Sequence, residues 1–350
     1  MIRNLFTHFG LTLRLTFDRK VNFWLKVTIP LMLLGYFLVP SANNIVPFAG
    51  RIDDAILAIV GGWVFVAAAP VDRVEYHRRS MRQRKGQAAP STTPAIPLDS
   101  LRYPSESRDL ALGFGISCLL LALFGYAAGM LMALLILAAL INTRLSRART
   151  LANAIEVSEA QFPELNRAFE AARLRLPDVD VHLLVTQNPV MNAYTFGMEA
   201  PYTLVLTSGL VEKTNLEEIQ AVIGHELGHI LFGHTRLINL MGGMPSLLQL
   251  IYMRWSRSCE YTCDAVALKA CGNRVQPVVT LLLKLTSGLK DVPVDLDSFL
   301  AQIEAQGTKR TAHAAEWFST HPFINHRIRR LIELARSSQE DAPEMTSPTR

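Results

Sequence analysis

The sequence predicts an α+β fold: a mainly helical domain with a small β-sheet in its second half, preceded by apolar helices of transmembrane type. Three observations carry this. Apolar runs occupy much of the first 142 residues, β-branched segments of strand length lie between Val181 and Thr207, and helical segments then follow one another to about residue 337. Composition agrees. Half of the 350 residues are hydrophobic, only 19% are charged, and mean hydropathy is +0.21. Ordinary soluble domains carry about 25% charged residues. This balance excludes disorder over most of the length, and four cysteines exclude a disulfide scaffold. The net charge is +5. The basic residues cluster beside the apolar runs, as membrane topology requires, so no nucleic-acid partner is expected.

The apolar runs cover 27–39, Ala55 to Val71 and Leu110 to Ile141. A membrane helix needs about 20 apolar residues. The first two runs are short for that. They fit a tilted or shallow hairpin, or a pair of buried soluble helices. The third is either one helix of roughly 48 Å or a hairpin turning near Gly125 to Gly129. Arg14, Arg19, Lys20 and Lys26 precede or open the first run, Arg73, Arg78, Arg79, Arg82, Arg84 and Lys85 follow the second, and Arg144, Arg147 and Arg149 follow the third. With all of these on the cytoplasmic side, each apolar region crosses an even number of times. That favours two hairpins in the inner cell membrane and a cytoplasmic C-terminal half. No cleavable signal peptide is evident.

The expected organisation is a membrane-associated hairpin over 1–85, a mobile linker over 86–109 and a transmembrane helix or hairpin over 110–142. A folded domain over 143–337 and a flexible tail over 338–350 complete it. The linker holds Pro90, Pro94, Pro97 and Pro104. Pro40 to Asp54 resembles the small YkvA-like membrane-associated module. A hairpin turn with Asp53 and Asp54 at a helix N-terminus accounts for the same residues.

In the folded domain, Ser158 is expected to cap a helix running to about Leu174, which Pro177 closes. Val181–Thr186, Ala193–Phe196 and Tyr202–Thr207 read as strands. Asn215 with Glu218 forms a capping box for a long helix. Further helices are expected near 246–271, 275–290 and 324–337.

That long helix carries HExxH as His225, Glu226 and His229. Residues four apart share a helix face, so both imidazoles can point at one metal ion. Glu226, rotated round by one residue, reaches a water on that ion. Gly224 and Gly228 allow close packing. Catalytic zinc takes three protein ligands and keeps an open position. Downstream, Glu260 and Asp264 are again four apart. Glu260 suits the third ligand, and Asp264 suits an acceptor for the ring N–H of a ligating histidine.

With these motifs in place, Ser158 to Leu334 resembles the HtpX-like zinc metalloprotease family, of gluzincin type, which also contains the CAAX prenyl endopeptidases. The run Asn188 to Gly197 resembles the family's substrate strand, and Tyr202 to Leu210 the strand and turn before the metal helix. HExxH continuing to Gly233 and His234, Arg257 to Asp264, and Ser319 to Pro322 with Arg327 resemble its remaining motifs. The resemblance implies a zincin-like metalloprotease domain holding one Zn2+ per chain on His225, His229 and Glu260, with Glu226 as catalytic base. It implies that His321 stabilises the tetrahedral intermediate, and that Asn192 and Arg327 hold substrate. It further implies unfolded or membrane polypeptide substrates, a lipid bilayer as partner and a role in membrane-protein quality control. The alternatives are a zinc-binding but inactive adaptor, and a prenyl-protein processing protease.

Two departures stand out. Cys263 stands where the family usually has Ala, four residues after Cys259. The two thiols are zinc competitors, a redox pair or small buried residues. The run 237–255, broken by Gly242, Gly243 and Pro245, is shorter than the membrane hairpin of HtpX-type proteins.

Overall fold

The structure, a computed structural model, describes residues 2–23, 25–27, 30, 49–84, 98–197, 200–241, 246–291, 298–299, 301–302 and 321–340. Most of the first apolar run and of the Pro40 to Asp54 turn lies outside these residues, as do 85–97 and Ser319.

Three N-terminal helices, α1 (Ile2–Phe17), α2 (Ala49–Ala68) and α3 (Val71–Arg84), pack together. Leu11 and Leu15 of α1 meet Val64, Phe65 and Val66 of α2 and Val74 of α3 in one buried cluster, which also takes in Leu110, Phe114 and Trp255. Asp18 ties the end of α1 to α3, accepting from Arg73 Nε and lying 2.7 Å from His77 Nε2.

The third apolar run belongs to α4 (Glu106–Asn153), which is 48 residues long and unbroken. The turn expected near Gly125 to Gly129 does not form. No proline lies within the helix. An isolated glycine costs only about 1 kcal/mol against alanine, and the surrounding Leu, Ala and Met favour the helix. Among the described residues no helix is long and apolar enough to cross a membrane. The side chains of 117–133 of α4 are not among those described.

Residues 98–105, expected to be a free linker, are docked instead. Leu98 is buried in a short 3-10 turn. Tyr103 stacks on Tyr261 with ring centres 4.8 Å apart, and the Arg330 guanidinium lies 4.5 Å from the Tyr103 ring. Aromatic and cation–π contacts outweigh the local disorder that prolines and serines favour.

The sheet has four strands in the order β1 (Ile155–Glu156), β2 (Val181–Thr186), β4 (Tyr202–Thr207), β3 (Ala193–Phe196). β2 and β4 are parallel, with Val181 opposite Tyr202 and Thr186 opposite Thr207. β3 runs antiparallel to β4, Ala193 facing Leu206 and Phe196 facing Thr203. Every residue of β4 is buried, as suits a central strand covered on both faces. β3 pairs only with β4 among the described residues.

Ser158 does not cap the next helix. Its side chain accepts from the Gln161 N–H in a turn, and α5 (Pro163–Arg173) begins with a proline at its first position. A short helix α6 (Ser208–Lys213) leads to α7 (Leu216–Leu231), whose start is the expected capping box of Asn215 and Glu218. Nearly all of α7 is buried. It forms the axis of the main core with α5, β4, α9 (Ser246–Ala270), α10 (Val275–Ser287) and α11 (Ile324–Glu340). Between α7 and α9 runs α8 (His234–Met241).

Two glycines decide how closely α7 and α9 approach. A side chain at Gly224 would meet Ala270 Cβ at 2.5 Å, and one at Gly228 would meet Cys263 Cα and Sγ at 3.1 Å. Their absence lets α9 lie directly on the histidine-bearing helix.

Candidate metal centre

One turn apart on α7, His225 and His229 have ring centres 5.1 Å apart at a steep angle. The close approach of α9 brings a buried carboxylate to both. His225 Nε2 lies 3.6 Å from Glu260 Oε2, and His229 Nε2 lies 3.6 Å from Glu260 Oε1. Those separations exceed an ordinary N–H···O hydrogen bond, which ends near ~3.2 Å. Each is close to a donor–donor separation around zinc, about 3.3–3.6 Å for bonds of ~2.0–2.2 Å, with the two histidines facing different oxygens of one carboxylate. Two imidazole nitrogens and one carboxylate are also the right donor chemistry. The residues present fit the metal.

The charges favour a cation. Burial opposes ionisation of Glu260, but the Arg327 charge, with His229 and His321 close by, outweighs it and holds the carboxyl well below the usual range. Burial likewise opposes a charge on Asp264, and Arg327 and His225 outweigh it. Burial lowers the pKa of His229, yet Glu260 and Glu226 draw it upward. The pocket thus holds Glu226, Glu260 and Asp264 around two histidines and one arginine.

Asp264 Oδ1 is 3.1 Å from His225 Nδ1, so it orients the ring whose Nε2 faces Glu260. Arg327 donates from Nε to Asp264 Oδ2 at 2.8 Å and from Nη2 to Oδ1 at 2.6 Å, and its Nη1 is 3.1 Å from Glu260 Oε2. All three guanidinium nitrogens are therefore committed to the two carboxylates. This differs from the substrate-holding role expected of Arg327. The reason is tertiary: α11 lays it against α9, where two buried acids need a cation.

His321 is exposed, and its Nδ1 lies 3.2 Å from Glu260 Oε2, at the mouth of the cluster. Asn192 is exposed just before β3. Its N–H donates to Thr207 Oγ1 at 2.9 Å, and its carbonyl accepts from the Thr207 N–H at 3.1 Å. Glu226 is buried on α7 beside β3, whose Thr195 Oγ1 donates to its Oε2 at 3.0 Å. Thr195 was not anticipated, although it lies inside the Asn188 to Gly197 motif. A threonine in a strand carries no distinguishing signal until the fold brings it to Glu226.

A second cluster adjoins the first. Gly233, at φ +75°, reverses the chain after α7 and places His234 at the start of α8. His234 Nδ1 lies 3.3 Å from His229 Nδ1, and His234 Nε2 lies 3.1 Å from Glu106 Oε1. Thr262 donates to Glu106 Oε2. Glu106, in the first turn of α4, was also unanticipated. It lies 128 residues before its histidine partner.

Cys259, Cys263 and Cys271 are free and buried. The donor atoms of His225, His229 and Cys263 lie within 4.8 Å of one another, as do those of Glu106, His234 and Cys259. Burial, with the nearby carboxylates, pushes the Cys259 and Cys263 thiols well above the usual range. With no metal bound, burial therefore favours the thiol form of both, in which sulfur is a poor ligand.

An HExxH helix lying against a second helix that presents a carboxylate to both histidines defines the class of HExxH metallopeptidases. The model of "Peptidase family M48" matches 159–254 and 236–335, together just over half of the chain. The chain belongs to this family.

Its relatives agree. The chain is 31% identical over 211 residues to the plastoglobule-localized metallopeptidase 48, chloroplastic, of Arabidopsis thaliana, with 52% of this chain and 59% of that protein covered. It thus spans less than two thirds of that relative. It is 27% identical over 224 residues to a protease HtpX homolog of Thermodesulfovibrio yellowstonii, covering 52% and 78% of the two chains. It is 28% identical over 275 residues to a protease HtpX homolog of Streptococcus pyogenes, covering 62% and 90%. The crystal structure of S. mikatae Ste24p aligns over 94% of this chain and 96% of that one, with 15% identity and a TM-score of 0.32, a likeness too slight to carry an argument.

Proposed function

We propose that this protein is a membrane-anchored zinc endopeptidase that cleaves extended segments of unfolded or unassembled membrane proteins, in membrane-protein quality control. In this reading it is anchored in the inner cell membrane by the apolar run of α4, whose unbroken helix removes the hairpin on which a cytoplasmic protease domain depended. The observation that carries the chemistry is the convergence of His225 Nε2, His229 Nε2 and the Glu260 carboxylate at 3.6 Å, with Glu226 alongside. The apolar run in α4 and the basic residues after it support the membrane assignment.

His225, His229 and Glu260 would hold the ion, Asp264 would orient His225, and Arg327 would fix both carboxylates. When bound, zinc supplies a Lewis acid that polarises the scissile carbonyl and acidifies a water. The edge of β3 away from β4 binds the substrate backbone as an added strand, with Asn192 at its entrance. Main-chain pairing of this kind tolerates many sequences, which suits unfolded substrates. Glu226, held in place by Thr195, takes a proton from the attacking water as the new C–O bond forms. It returns that proton to the leaving nitrogen as the C–N bond breaks. His321 at the mouth donates to the oxyanion of the tetrahedral intermediate.

The test is zinc content by elemental analysis together with hydrolysis of an unfolded protein such as casein, in detergent. The wild type is expected to carry about one zinc per chain. Glu226→Gln should keep the metal and lose ~10²–10⁴-fold in rate, the usual cost of removing a general base. A zinc-loaded wild type that cleaves no unfolded protein would shift the reading to an adaptor.

A further inference from the structure

The two ring nitrogens of His229 face different clusters, and together they determine a chain of protons. Nε2 faces Glu260, and Nδ1 lies 3.3 Å from His234 Nδ1. If Nε2 is the metal-facing atom, its lone pair is used there and the ring proton sits on Nδ1. His234 Nδ1 then has to accept, which places the His234 proton on Nε2. That nitrogen is 3.1 Å from Glu106 Oε1, an acceptor. The remaining Glu106 oxygen accepts from Thr262. The His229 proton thus reaches His234 and the His234 proton reaches Glu106, while the Cys263 sulfur lies 3.6 Å from the same His234 Nδ1.

We infer that His234 and Glu106 are positioning residues for the metal: a buried His–carboxylate relay that fixes the tautomer and ring orientation of His229, as Asp264 does directly for His225. The inference rests on the proposed ligand role of His229. The relay is held rigidly. His234 is 1% and Glu106 2% exposed on their side chains. The His234 ring packs edge-on to Trp255 and stacks against Phe232. Gly233 makes the reversal that returns His234 to His229. Glu106 belongs to the first turn of α4, where Asp109 of the same turn bonds Arg254 and Ser258 of α9. The helix bearing the third apolar run is therefore tied to one metal-facing histidine through two side chains. Displacing its start would turn the His229 ring.

Two variants test this in the purified full chain. His234→Phe keeps a flat ring against Trp255 and removes both nitrogens. Glu106→Gln keeps the shape and an acceptor oxygen and removes the charge. Zinc affinity is read by competition with a chelator, and the site is read spectroscopically by the visible absorption of the cobalt(II)-loaded protein. Melting of the metal-free protein checks the fold. His234→Phe is expected to weaken zinc ~10–100-fold, the usual effect of removing such an outer partner. It should also shift the cobalt bands. Glu106→Gln should move both readouts the same way by a smaller factor. Unchanged affinity and unchanged cobalt bands in both variants, with wild-type melting, would overturn the relay. If His234→Phe does not fold, Glu106→Gln decides alone, and unchanged readouts there overturn it. A wild type that takes up no zinc would bring down the proposed ligand set, and the relay with it. Tight zinc in the wild type with indifferent variants would bring down the relay only.

Discussion

Two histidine–carboxylate clusters lie side by side, one between α7 and α9 and the other where α4 and α8 meet α9, built from the same residue types. In one, His225 and His229 face Glu260 at 3.6 Å, too far for good hydrogen bonds. In the other, His234 meets Glu106 at 3.1 Å, and Thr262 occupies the second carboxylate oxygen. The first cluster opens toward the exposed His321, while the second is sealed under Trp255 and Phe232. The difference shows that donor identity does not make a metal site. Donors that converge without satisfying one another, beside an opening, can take an ion. Donors already paired with protein protons serve to hold their neighbours.

The strongest way to break this contrast is His225→Ala. It removes one of three donors in the open cluster, so zinc and proteolysis should both be lost, as elemental analysis and casein hydrolysis would show. If His225→Ala retained a full zinc per chain, the ion would sit elsewhere, and the sealed cluster would become its candidate home.

Asp264→Ala should have a smaller effect. It frees the His225 ring and leaves Arg327 to Glu260 alone, so zinc affinity should fall ~10–100-fold while some activity survives at saturating metal. Chelator competition measures the first effect and metal-supplemented hydrolysis the second. Activity that no excess of zinc restores would show that Asp264 acts in more than ring orientation.

The smallest change is expected from Cys259→Ser combined with Cys263→Ala. Both thiols are buried, and burial disfavours the thiolate, so zinc stoichiometry should stay at about one per chain, with affinity within about threefold, well short of a lost ligand. Release of the metal would move the third-ligand role from Glu260 to Cys263, whose sulfur lies close to both histidines.

The sequence by itself determined whatever depends on neighbours within about one helical turn or along one strand. The capping box at Asn215, the shared face of His225 and His229, the pairing of Glu260 with Asp264, and the strands Val181–Thr186, Ala193–Phe196 and Tyr202–Thr207 were all legible, because spacing of four on a helix and alternation on a strand are local rules. The family motifs were legible for the same reason. Only the tertiary structure decided which distant groups meet. Arg327 went to Asp264 and Glu260 because α11 crosses α9 there, and two buried carboxylates require a cation. Thr195 reached Glu226 because β3 is the edge strand beside α7, and Glu106 reached His234 across 128 residues because α4 starts against α9. The long apolar run stayed one helix although composition allowed a hairpin, since glycines without a proline or a polar turn give a helix no sufficient reason to break. Hydrogen-bonding partners of buried charges are fixed by which elements pack together, and that depends on the shape of whole helices rather than on any short run of residues.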